Sequence, residues 1–71
     1  MKHSPLERLS RRELQVLKLV AEGRTSKEIA ALLELSSSSI DTYRHRIMIK
    51  LAIENVAGLV KFAIRNGVTQ L

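Results

Sequence analysis

The chain has no cysteine and no tryptophan, one proline, and two aromatic residues, Tyr43 and Phe62. Without cysteine there can be no disulfide, thiolate metal site or cysteine nucleophile, which is compatible with a reducing cytosol. The longest apolar runs are far too short to span a bilayer. The opening MKHSPLERLS lacks the apolar stretch of a signal peptide, so a cytoplasmic protein with no membrane partner is expected. No glycine-rich loop is present to cradle a nucleotide. The glutamates Glu7, Glu13, Glu22, Glu28, Glu34 and Glu54 are scattered at caps and on surfaces, where solvation accounts for them. His3 and His45 stand without a second ligand at metal spacing and without a nucleophile or orienting carboxylate. The expectation is a protein that is not an enzyme and takes no cofactor or metal.

What remains is 71 residues, one small domain near the lower limit for a core without staples. That core must be mostly Leu, Ile, Val and Ala, which suits helices. Twelve Lys and Arg against seven Asp and Glu give a net charge of +5. An excess of this size favours a polyanionic partner, although ribosomal and membrane-surface proteins share it.

Met1 to Leu9 reads as an arm or linker ahead of a domain over 10–71, with Pro5 disfavouring helix in the residue before it. Ser10 and Glu13 form a capping box, Leu9 can staple onto Leu14, and Leu14, Leu17, Val20 and Ala21 follow at helical spacing. The first helix is placed at Arg11 to Glu22, with Gly23 ending it. Thr25 and Glu28 form a second capping box and open a short helix carrying Ile29, Ala30, Leu32 and Leu33. Only Glu34 and Leu35 separate it from Ser36, a third cap, and a connection that short forces a sharp angle. The third helix runs from Ser37 to Leu51. At 100° per residue, Ile40, Tyr43, Arg44, Ile47 and Leu51 share the core side, with Arg44 snorkelling at its edge. Ser38, Thr42, His45 and Ile49 lie opposite, flanked by Asp41 and Arg46. Asn55 caps a fourth helix that ends at Asn66 and Gly67. The expected fold is all-α, a four-helix domain built around a helix-turn-helix. Val56, Ala57, Leu59, Val60, Phe62, Ala63 and Ile64 make the last helix apolar over more than one docking stripe, so self-association is expected there.

Three blocks carry a family likeness. They are Leu9-Ser10-x-Arg12-Glu13-x-x-Val16-Leu17-x-Leu19-Val20-Ala21-x-Gly23, then Lys27-Glu28-Ile29-Ala30, then Leu35-Ser36-x-x-Ser39-Ile40-x-x-Tyr43-Arg44-x-x-Ile47-Met48-x-Lys50-Leu51. Their order, from Leu9 to Val68, resembles the LuxR/FixJ/GerE-type DNA-binding domain, the four-helix output module of many bacterial transcription regulators. The resemblance implies that the third helix enters the major groove of double-stranded DNA, that the second steadies the complex on the backbone, and that the last pairs two subunits as a homodimer. It leaves RNA polymerase as a further partner. By position it assigns base reading to Asp41, Thr42 and His45. Phosphate contact falls to Thr25, Ser26, Lys27, Ser36, Ser37, Ser38, Ser39, Arg44, Arg46 and Lys50, and dimerisation to Val56, Gly58, Val60, Phe62 and Ala63. The chain departs from the family pattern at several places. Glu34 stands where glycine is frequent, which implies a positive φ. Ser39 replaces a usual Thr, Tyr43 a common His and Asp41 a frequent Lys, while Ile49 replaces a polar residue and Gly58 a capping acid.

Helix N-termini present free N–H groups and the positive end of the dipole, so the serine run can hold a phosphate. Thr42 offers a methyl to thymine, His45 can donate to guanine, and Asp41 can accept from cytosine. Arg46 fits phosphate better than a bidentate guanine contact because of its flank position. Tyr43 reads as a core aromatic with its hydroxyl at the rim. Two rivals share parts of the pattern: a region-4-like sigma factor domain, and a protein-interaction module that has lost DNA binding.

Overall fold

Each expected helix start carries a side chain able to cap it, and all four caps form in the computed structural model, which describes residues 5–68. Ser10 Oγ accepts the Glu13 N–H at 3.1 Å while Glu13 Oε1 accepts the Ser10 N–H at 2.8 Å. Thr25 and Glu28 repeat the reciprocal pair at 3.1 and 2.9 Å. Ser36 Oγ accepts from the Ser39 N–H, and Asn55 Oδ1 from the Gly58 N–H. These caps open α1 (Arg11–Ala21), α2 (Ser26–Leu33), α3 (Ser37–Leu51) and α4 (Val56–Arg65), and no strand occurs among the described residues.

Helix ends need a residue that tolerates the left-handed region. Gly23 supplies it after α1 at φ 88°, and the Arg24 N–H returns to the Leu19 carbonyl. After α2 the position is filled by Glu34 at φ 56°, the strain expected from its replacement of a glycine. A second strained residue, Ala52 at φ 55°, ends α3 and was not foreseen. Glu34→Gly is expected to stabilise the domain by about 0.5–1 kcal/mol, the relief of left-handed strain less the added freedom of the unfolded chain. Chemical denaturation read by circular dichroism checks it, and an unchanged midpoint would contradict the strain.

The core joins Val16, Leu17 and Val20 of α1 to Ile29 and Ala30 of α2, Ile40 and Ile47 of α3, and Leu59 and Ala63 of α4, with Val68 closing the end. Helix α1 packs against both α3 and α4, and α2 packs chiefly on α3. This makes α2 and α3 a helix-turn-helix pair resting on α1.

Three expectations need correction. Pro5 to Arg8, expected within an arm, form a 3-10 turn that packs on α3, and Leu6 and Leu9 are half-buried against the core. Their apolar side chains gain from docking where polar arm residues would not. The rest of that arm, His3 included, and the domain's end at 69–71 lie outside the described residues. Glu13, expected on the surface, is only 3% exposed. Ala63, expected to pair subunits, is fully buried in its own chain, on the side of α4 turned to α1. Of the remaining dimer candidates, Val56 is exposed, whereas Gly58, Val60 and Phe62 are half-buried. Gly58 has its own reason to be small. A Cβ there would lie 3.0 Å from Ile53 Cγ2 and 3.3 Å from the capping Asn55 Oδ1.

Candidate nucleic-acid interface

Helix α3 divides as its periodicity implies. Ile40 and Ile47 are fully buried and Tyr43, Arg44, Met48 and Leu51 are half-buried, while Ser38, Asp41, Thr42, His45, Arg46 and Ile49 are exposed. Because α2 and α1 hold the buried side, the exposed side is presented on a packed support.

At its N-terminus the serines are organised among themselves. The Ser36 hydroxyl donates to Ser39 Oγ at 2.9 Å, and the Ser36 and Ser38 hydroxyls lie 3.1 Å apart. Ser36, Ser37 and Ser38 are exposed and Ser39 is half-buried, so an anion would meet hydroxyls and the opening turn of the helix together. One turn on, the Thr42 hydroxyl donates to the Ser38 carbonyl at 3.0 Å. Its proton is thereby used inside the helix, and the side chain can still offer its methyl and an oxygen acceptor.

Asp41 is engaged across the pair of helices. The Ser26 hydroxyl, at the start of α2, donates to Asp41 Oδ1 at 2.7 Å and accepts from Arg44 Nη1 at 2.7 Å. Arg44 Nη1 also lies 3.8 Å from Asp41 Oδ1, and its Nε is buried without a partner. The expectation that Arg44 snorkels at the core edge agrees with this geometry, but its fork is turned to α2 rather than outward. Ser26, nominated for phosphate, has its hydroxyl committed to these two partners.

Lys50 is tied down in a different way. Its Nζ donates to Glu13 Oε1 at 2.7 Å, linking the end of α3 to the capping box of α1. Burial pushes the Glu13 carboxyl up, but the Lys50 hydrogen bond, the Ser10 N–H, the Lys50 charge and the Ser10 hydroxyl together hold it below the usual carboxylate value. On exposed Glu28, the Thr25 N–H and hydroxyl have the same effect.

Of the four cations nominated for phosphate, Arg44 and Lys50 are thus held within the domain. Lys27 and Arg46 are exposed and their side chains have no hydrogen bond or ion pair among the described residues. Thr25 is exposed beside Lys27, although its hydroxyl already serves the cap. His45 is exposed between Asp41 and Ile49. No cluster of His, Cys, Asp or Glu suited to a metal occurs among the described residues, and none of their helices is long and apolar enough to cross a membrane. Sequence reasoning missed two structural features of this face, the Ser26 link to Asp41 and the Glu13 link to Lys50.

The response regulatory protein YgeK of Escherichia coli strain K12 is 42% identical over 67 residues, covering 94% of this chain and 46% of its own length. The response regulator UvrY of the same strain is 39% identical over 64 residues, covering 90% of this chain and 29% of its own. The transcriptional regulatory protein MctR of Rhizobium johnstonii is 38% identical over 60 residues, covering 84% and 28%. The chain therefore spans less than half the length of these curated relatives. No solved structure matches it. Residues 7–63, most of the chain, match the family described as bacterial regulatory proteins, luxR family. By that match, and by its four helices around a helix-turn-helix, the chain belongs to the luxR family of bacterial regulatory proteins.

Proposed function

We propose that this chain binds double-stranded DNA sequence-specifically as the non-catalytic output module of a longer, cytoplasmic bacterial transcription regulator. Its relatives are named as response regulators and transcriptional regulators. The observation that carries the reading is the exposed side of α3, where Asp41, Thr42 and His45 stand between the serine-rich N-terminus and Arg46 on a helix braced by α1 and α2. In this reading α3 enters the major groove, the three side chains meet base edges, and Ser36 to Ser39, Thr25, Lys27 and Arg46 meet phosphates. The net charge of +5 supports the backbone contribution.

Two copies pair through α4, along Val56, Val60 and Ile64. These lie one turn apart on the same stripe, and Val56 and Ile64 are 37% and 61% exposed. Ile64→Glu is expected to abolish self-association measured by sedimentation while leaving helical content unchanged, since Ile64 lies outside the core. A dimer that survives the substitution would move the interface elsewhere.

Selection from a random duplex pool at moderate salt tests the whole reading. Enrichment of a motif repeated about one helical turn apart, roughly 10 bp, is expected for a dimer. One observation favours a protein-interaction module instead: Ile49, in line with Thr42 and His45, is 66% exposed. Failure to recover any duplex even at low salt would favour that module.

A further inference from the structure

Asp41 is an acid on a surface that must approach phosphates, and a freely moving carboxylate there would only repel them. It does not move freely. Its Oδ1 accepts from the Ser26 hydroxyl at 2.7 Å, and that hydroxyl accepts in turn from Arg44 Nη1 at 2.7 Å. The donors run in one direction, guanidinium to hydroxyl to carboxylate, so each bond polarises the next. Arg44 is only 26% exposed and its Nε is buried, so the guanidinium is largely withdrawn from solvent beside a carboxylate that is not. Oδ2 has no partner among the described residues, and the Asp41 side chain is 66% exposed.

From this arrangement we infer that Ser26 is a positioning residue for base selection, holding Asp41 so that its open oxygen demands an amino group in the major groove. This rests on the DNA-binding reading above. A carboxylate can only accept. Cytosine N4 and adenine N6 present N–H groups in the major groove, whereas guanine presents N7 and O6 and thymine O4, all of them acceptors. Asp41 therefore selects cytosine or adenine over guanine and thymine at one position of each half-site. The Arg44 charge 3.8 Å away offsets the repulsion from neighbouring phosphates. Ser26 contributes by restricting the rotamers of Asp41. Without the hydroxyl, Asp41 is left with Arg44 at 3.8 Å as its nearest charge, and the carboxylate is free to turn toward it.

The test compares the 71-residue chain with Asp41→Asn, Ser26→Ala and Ser26→Thr variants in duplex selection followed by competition among the four bases at each half-site position. The wild type is expected to show roughly tenfold discrimination at one position, the usual cost of a single mismatch. Asn can donate as well as accept, so Asp41→Asn should flatten that position. Ser26→Ala should flatten the same position and no other, and Ser26→Thr, which keeps the hydroxyl, should restore it. If Asp41→Asn flattens the position and Ser26→Ala does not, the positioning role is wrong while the reading face stands. Equal weakening at every position by Ser26→Ala would also overturn it, reducing Ser26 to a fold or phosphate contact. Should Asp41→Asn alter no position, the placement of the reading face itself fails.

Discussion

Lys50→Met is expected to lower the stability of this domain by about 2 kcal/mol, equivalent to a fall in Tm of roughly 8–16 °C for a chain of this size. The reason is the carboxylate it leaves behind. Glu13 is 3% exposed, and its Oε1 is shared between Lys50 Nζ and the Ser10 N–H. Removing one partner of a buried pair typically costs about 3–5 kcal/mol. The lower figure applies because Ser10 still donates and because the Lys50 side chain is 41% exposed, so part of the pair already meets water. Were Lys50 simply a phosphate contact on the surface, its replacement would change stability by no more than about 0.5 kcal/mol. Urea denaturation without DNA separates the two roles. Glu13→Gln is expected to cost less, about 1 kcal/mol, because the amide oxygen can still accept from Ser10 and the freed ammonium can reach solvent.

The same pair sets a pH signature. The folded-state pKa of Glu13 lies below its ordinary value of 4.5, so the unfolded chain binds the proton more readily. Stability from this group is therefore full above about pH 4.5 and is lost as pH falls through the folded value. In Lys50→Met the burial that raises the pKa remains, while the hydrogen bond and charge that lower it are gone. The stability gap between wild type and variant should consequently narrow on acidification below pH 5. A constant gap would mean that Glu13 and Lys50 do not interact in solution.

Glu13 also shows what was legible in the sequence. It precedes Val16, Leu17 and Val20 at the spacing of one helix face, so its burial was written in the same periodicity as the core, but its charge and its capping role suggested a surface. Helix boundaries were readable because capping is local: Ser10, Thr25, Ser36 and Asn55 each act on a residue three positions on. The exposed side of α3 was readable because polar and apolar residues alternate around it. Helix α4 offered no such contrast. Nearly all its residues are apolar, and only the docking of α1 decides that Leu59 and Ala63 face inward and Ile64 outward. The Ser26 link to Asp41 and Arg44, over 15 and 18 residues, is tertiary in origin and leaves no local trace. Ala52 is similar. Its left-handed conformation comes with the return of the Ile53 N–H to the Met48 carbonyl, and alanine gives no warning of it.

Arg46→Glu is expected to have the largest effect on DNA binding of any single change on α3, a loss of roughly 10–100-fold on every duplex, selected or random. With Arg44 turned to Ser26 and Lys50 to Glu13, Arg46 is the cation of this helix whose side chain has no hydrogen bond or ion pair among the described residues. A charged hydrogen bond is worth about 1.5–3 kcal/mol, which spans that range, and reversing the charge adds repulsion. On the proposed phosphate contact, base preference should persist, and the slope of log affinity against log salt should become shallower by about 1 per subunit. Titrations at several salt concentrations measure both quantities. Arg46 is exposed and outside the core, so the variant should unfold at the wild-type denaturant concentration. A loss confined to duplexes carrying one particular base would instead place Arg46 on guanine. Unchanged affinity would mean that α3 does not approach the backbone on this flank, and the proposed orientation of the helix in the groove would have to be turned toward Asp41.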